Sequence, residues 1–447
     1  MAMTRLEAPP PPVLATGAPA ATRGRITRDS LWLVGGFGAT AGVGFVFWMV
    51  AGATLTPHEL GVDASIVSAF SAAATFASIG TGSALIVMLP RSGTAARRLV
   101  SHSVVATSAI ATVTGIVAGV LVAIVLPVDL PAAWTIAIVA VSTVVWALFN
   151  LQSQALVGVG DARATLLVNG SATLAKLALL LVFAIVLVRL PHPVVVATVA
   201  PAAVATAISI GVIVSRGTRA EARARPLVVW ERARAHAFHA FAAQNTAAVG
   251  IVLAAGSSLA FVVTALSVPA QGAVFAIAFQ FSAALDLVGV GVATALARAA
   301  ADDPTTDRRI VRGFAARVAA IALLVGGAMT AATPVLFGLF GKGYDPAYAA
   351  GVVGVLLAAS VIRPGFDMWS ARMRAARRVT PVLWANATYV ALLLALVVVL
   401  VPRWGALGAA TAVTASALWL AVVGAVGIRR LGRTSLSPRT ASEGGTT

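Results

Sequence analysis

Four charged side chains sit in stretches otherwise too apolar to hold them: Lys176, Asp286, Arg363 and Asp367. An ionised group at membrane depth is costly unless it lines a wet cavity or finds a partner, so each is a candidate for function. Arg363 and Asp367 stand four residues apart, which on a helix puts them on one face within pairing distance. Pro364 between them lacks an amide proton, so it predicts a kink and freed backbone groups that need partners or water. Two uses compete. In one, Lys176 and Arg363 contact the phosphates or acidic sugars of an anionic headgroup, and Asp286 and Asp367 balance them when the site is empty. In the other, Arg363–Asp367 is a static pair that locks helices together.

Amides form a second group. Asn150, Gln152 and Gln154 close one apolar stretch, and Gln244 and Asn245 open another. Each amide both donates and accepts hydrogen bonds, which suits sugar hydroxyls and equally suits bonds between helices. Catalytic readings are weaker. Asp302, Asp303 and Asp307 resemble an aspartate cluster able to hold Mg²⁺ against phosphate, but the cluster stands alone and runs straight into Arg308 and Arg309. His236 and His239 are three apart without a carboxylate at depth, so no zinc site is expected. No G-x-x-x-x-G-K-[ST] loop occurs, so this chain does not itself hydrolyse ATP. Cysteine is absent, which removes disulfide and thiolate chemistry. The chain reads as a non-enzyme with no cofactor.

The elements that hold these residues are membrane helices. Hydrophobic residues make up 59% of the 447 positions and charged ones 11%, against about 25% charged in soluble domains. A span needs roughly 17–25 apolar residues. Breaks at Pro, Gly and charge clusters place spans near 31–53, 64–88, 103–126, 133–157, 166–188 and 194–214. A second set falls near 238–265, 272–296, 313–337, 349–371, 382–401 and 407–428. The fold class is therefore an all-α polytopic membrane protein of about twelve helices, six per half.

Between the halves, residues 215–237 carry Arg216, Arg219, Arg223, Arg225, Arg232 and Arg234. This basic segment reads as a cytoplasmic hinge, because Arg-rich loops stay inside. Every Lys or Arg outside the spans falls on the hinge side except Arg189, Lys342 and Arg403. Both termini are thus expected in the cytoplasm. Residues 1–29 and 429–447 form tails, 30–214 the first bundle and 238–428 the second. The net charge of +17 sits in short loops that suit anionic lipid rather than nucleic acid, for which no soluble domain exists. Trp32, Trp48, Trp134, Trp230, Trp404 and Trp419 fall at or near boundaries, as interfacial tryptophans do. The acids Glu59, Asp63, Asp129 and Asp345 fall in outer loops.

An even number of spans per half gives both halves one orientation, related by an axis along the membrane normal. Residues 160–182 echo 377–399, with Asn169 and Asn386 at matching places. The stretches GFGATAGVGFVFWMVAGATLTPHELGVDASIVS (36–68) and FASIGTGSALIVMLPRSG (76–93), with LFGKGYDPAYAAGVVGVLLAASVI (339–362) and WGALGAATAVTASALW (404–419), resemble the MOP exporter superfamily, and within it the polysaccharide flippases. The resemblance implies two six-helix bundles around a central cavity, working by alternating access. The implied cargo is a polyprenyl-pyrophosphate-linked oligosaccharide, moved between leaflets of a bacterial plasma membrane by a monomer beside glycosyltransferases or a polymerase. Neither the first nor the seventh span carries the carboxylate that cation-coupled drug exporters of the superfamily use. A small-drug exporter with Asp286 or Asp367 as coupling acid remains the alternative, and a membrane glycosyltransferase a more distant one.

Overall fold

The computed structural model describes residues 40, 42–92, 96–160, 162–186, 190–221, 232–283, 308–340, 343–375 and 380–434. Asp286, the Asp302–Asp307 cluster, the tail 1–29, the hinge centre 222–231 and residues 435–447 lie outside the described residues. All regular structure among the described residues is helical.

The first half comprises α1 (Gly42–Thr54), α2 (Pro57–Met88), α3 (Ala96–Val125), α4 (Ala132–Gly158), α5 (Ala162–Ile185) and α6 (Pro193–Glu221). The second half opens with α7 (232–266), built of Arg232–Asn245, a π-helical turn Thr246–Gly250 and Ile251–Leu266. There follow α8 (269–283), α9 (Arg308–Gly338) and α10, itself two pieces, Pro346–Ile362 and Pro364–Ala375. The last helical stretch, Thr380–Thr434, breaks at Gly405, whose φ of 56° and ψ of −131° no helix allows. Its arms, α11 (380–404) and α12 (406–434), fold back on each other, since the Trp419 indole donates to the Thr388 hydroxyl at 3.0 Å. Twelve helices result among the described residues, the number that the hydropathy pattern predicts. Several begin earlier than their apolar cores, because capped ends extend them. Thr56 and Glu59 form a reciprocal capping box before α2, and Asp345 accepts from Ala347 and Tyr348 at the start of α10.

The hinge leaves α6 and enters α7 at one end of the molecule, which we call the hinge face. The halves meet along α2 and α7 over their whole length. Small residues permit this: a β-carbon at Gly80 of α2 would collide with the Ala242 carbonyl of α7. Hydroxyls then bond across the seam in place of bulk, with Ser65 reaching Thr264 at 2.5 Å, Ser68 donating to the Ser257 carbonyl and Asn245 donating to Ser83 at 2.8 Å. At the opposite face a second contact closes, where Phe340 and Ile277 lie against Gly52 and Gly343 lies against Pro57. On α1, Phe45 meets Phe281 of α8 edge-on with ring centroids 4.8 Å apart.

Candidate functional site

Lys176 lies on α5, and its Nζ sits 3.9 Å from the centroid of the Phe47 ring and 5.8 Å from that of Trp48. Both rings belong to α1 and are buried. A ring face carries partial negative charge, so the ammonium is held by cation–π attraction. Among the described residues no carboxylate comes within ion-pair distance of it. Trp48, expected at a membrane boundary, is instead 5% exposed inside the protein. The reason is that α1 is wedged between α5 and α8. Trp134, Trp404 and Trp419 are exposed as boundary residues should be, whereas Trp32 and Trp230 lie outside the described residues.

Arg363 and Asp367 occur in the second half, at the break in α10 that Pro364 predicts. Arg363 Nε lies 3.8 Å from Asp367 Oδ2, with the side chains 36% and 31% exposed. The pair lines a cavity of about 340 Å³ enclosed by α7, α8, α10, α11 and α12. That volume is at the low end for a small-molecule site. Ser257, Ser282, Ser360 and Tyr389 supply the cavity's other polar groups, and Ser282 and Ser360 bond each other at 3.0 Å. The π turn of α7 lies just before Val252, the first residue of α7 to line the cavity. Its irregular backbone displaces a carbonyl, and Asn386 of α11 captures that group, Ala248 O, at 2.8 Å.

Lys176 and Arg363 lie in different halves, and Lys176 does not line the cavity that Arg363 lines. On α1, Phe47 faces Lys176 and Phe45 faces α8. Residues two apart on a helix face opposite ways, which explains the partition. The amides are distributed too. Gln152 is buried and donates to Ser153 at 3.0 Å and to Asn169 at 3.4 Å, while its Oε1 finds no partner among the described residues. Gln154 packs on Gly82 of α2, and Asn150 is half-buried beside them. Asn245 is used in the seam with Ser83, and Gln244 is exposed. None of these amides lines the second-half cavity.

Asp63 was to be expected in a loop. It lies in α2 instead, 2% exposed, the one charged side chain among the described residues to be fully buried. Its Oδ1 accepts from His192 Nδ1 at 2.7 Å and its Oδ2 from the Val194 amide at 2.9 Å, at the start of α6. His192 holds a φ of 58°. The second half has a counterpart. Gln271 of α8 accepts from the Ala406 amide at 2.9 Å at the start of α12, and Gly405 before it holds a φ of 56°. Tyr348 completes that knot, donating to Gln271 or to the Trp404 carbonyl, each 2.7 Å away, and accepting from Leu407 at 3.0 Å.

No family model matches the chain, and no curated protein matches it. Solved structures do resemble its fold. A multidrug resistance MATE family transporter of the MOP superfamily, in an inward-facing conformation, aligns with a TM-score of 0.67 at 16% identity, over 90% of this chain and 96% of that one. A MOP superfamily transporter from Pyrococcus furiosus, described as having a binding pocket of reversed polarity that suggests a different function, aligns at 0.63 and 16% identity, over 92% and 96%. An outward-facing MATE family transporter aligns at 0.61 and 16%, over 92% and 97%. The fold is thus that of the MATE-type membrane transporters, an all-helical, multi-pass architecture of two six-helix halves.

Proposed function

We propose that this chain is an exporter of the flippase type, which moves a polyprenyl-pyrophosphate-linked oligosaccharide from the inner to the outer leaflet by alternating access. The observation that carries the reading is Lys176. It is a half-buried ammonium over two aromatic faces, with no carboxylate partner among the described residues. Such a group suits an incoming phosphate, and ring faces beside it suit the apolar side of a sugar. Arg363, in a cavity lined by hydroxyls, offers a second cation in the other half. A cationic interior argues for anionic cargo, and the reversed pocket polarity described for the Pyrococcus furiosus neighbour makes pocket charge the property to read in this fold.

With the basic loops inside, the hinge face is cytoplasmic. The protein works in a bacterial plasma membrane, as a monomer, beside the glycosyltransferases or polymerase that make and use the glycan. An inside-negative potential favours outward movement of an anionic headgroup, so the potential is a sufficient driving force. The rival reading, a cation-coupled exporter of small drugs, is favoured by Asp367, an acid that lines the cavity. Depleting the protein decides between them. A lipid-linked saccharide should accumulate on the cytoplasmic leaflet; drug hypersensitivity without accumulation would instead establish the small-molecule exporter.

A further inference from the structure

We propose that the second half binds the phosphate headgroup of an anionic lipid at the end of the molecule opposite the hinge. A cavity of about 660 Å³ lies there among α8, α10 and the corner between α11 and α12. The contacts of its walls fix its place. Gln271 is two residues past Pro269, which lies against Gly61 of α2, and Tyr348 is five past Gly343, which lies against Pro57. Both contacts belong to the face remote from the hinge. Trp404 is 52% exposed at the rim, the depth at which tryptophans meet lipid headgroups.

The unpartnered polar groups around this cavity are donors. Arg403, near the end of α11, is exposed, lines the cavity and pairs with no acid among the described residues. Its guanidinium offers five N–H groups and no acceptor. Gln271 is oriented by its neighbour: the Ala406 amide can only donate, so the atom 2.9 Å from it is the carboxamide oxygen. The nitrogen of that carboxamide, with two hydrogens, is left without an acceptor among the described residues, and so is the Trp404 indole N–H. The hydroxyls of Ser267 and Thr411, also on the wall, donate to the Val263 and Leu407 carbonyls. Among the described residues no carboxylate lines the cavity. Asp345, at the start of α10, accepts from Ala347 and Tyr348 and stands outside the wall. Donors without acceptors suit an acceptor-rich anion, and the planar arginine fork matches phosphate oxygens two at a time. The rest of the wall, with Val355 and Val401, is apolar and fits the glycerol and upper acyl carbons of a lipid, which a free phosphate lacks. The cavity shares no residue with the one that Arg363 lines, so the site stands whatever the transporter carries.

The chain has no cysteine, so a cysteine in place of Val399 can carry a single fluorophore. Val399 is 51% exposed, one turn before Arg403 on the same face of α11, and outside the cavity wall. The full chain is reconstituted in phosphatidylcholine vesicles. Traces of phosphatidylglycerol or phosphatidylcholine with a nitroxide high on one acyl chain then quench the label. The anionic lipid should quench roughly three- to ten-fold more strongly, as one cation with its hydrogen bonds beside a headgroup implies. Arg403→Gln should bring the two lipids level. Gln271→Glu keeps the oxygen that holds Ala406 but turns the free donors into a negative acceptor, and it should do the same. Equal quenching by the two lipids without either substitution overturns the proposal. An excess that survives in either variant also overturns it, because general surface charge would then be responsible. Displacement of the excess by inorganic phosphate at constant ionic strength overturns it too, since the site would then hold a free ion.

Discussion

Each half of the molecule solves one construction problem twice over, with different chemistry. The sixth helix of each half must start abruptly after a residue of positive φ, and its first amides need an acceptor. In both halves the second helix supplies it. In the first half the acceptor is Asp63, the positive-φ residue is His192, and the brace is a carboxylate–imidazole hydrogen bond 129 positions apart in sequence. In the second half the acceptor is Gln271, the positive-φ residue is Gly405, and a phenol from Tyr348 closes the knot. A left-handed backbone is free for glycine and costs another residue about 1–2 kcal/mol. The first half therefore carries strain at His192 that its carboxylate bond offsets, whereas the second half has no strain and no charge. The matching positions support duplication of one six-helix unit, and the difference shows that the geometry was kept while the bonding groups were exchanged.

Substitutions can break this comparison in order of expected size. Asp63→Ala leaves the Val194 amide and His192 without their acceptor in a buried setting. It should cost about 2–4 kcal/mol, read as the largest drop in thermal stability of the detergent-solubilised protein. Gly405→Val forces a β-branched residue into positive φ, where its β-carbon would lie 2.5 Å from Gln271 Oε1. A loss of roughly 2–3 kcal/mol is expected, so if Gly405→Val proves harmless, the second brace is not the rigid one. Tyr348→Phe deletes the phenolic hydroxyl and should cost about 1 kcal/mol, with the cavity-facing end of α10 unchanged in protection from proteolysis. His192→Gly removes strain and a hydrogen bond together, so the two terms nearly cancel. Its stability should lie within about 1 kcal/mol of wild type; a clear gain would mean that the histidine is kept for something other than support.

The all-helical, multi-span architecture and the kink at Pro364 were legible in the sequence because each depends on local composition. Apolar runs, basic loops and a proline within a span act over a few residues. The braces were not legible. Asp63 reads as a loop acid until α2 is seen to begin at Pro57, and His192 gains meaning only once α6 lies beside α2. The same holds for His239, whose ring meets that of His102 across the seam. Lys176 was marked by its charge alone, yet its bed of Phe47 and Trp48 depends on how α1 wedges between α5 and α8. Asn169 and Asn386 match in sequence but diverge in use, one bonding α4 and the other the π turn of α7.

Flipping of a fluorescent polyprenyl-pyrophosphate oligosaccharide in reconstituted vesicles, scored by quenching from one side, puts the role of Lys176 to the most direct test. Wild-type protein should flip the probe, and Lys176→Met should reduce the rate by roughly ten- to a hundred-fold, the worth of one charge-assisted contact of about 1.5–3 kcal/mol. Undiminished flipping by Lys176→Met, in protein that reconstitutes as well as wild type, would contradict a cationic site for an anionic headgroup.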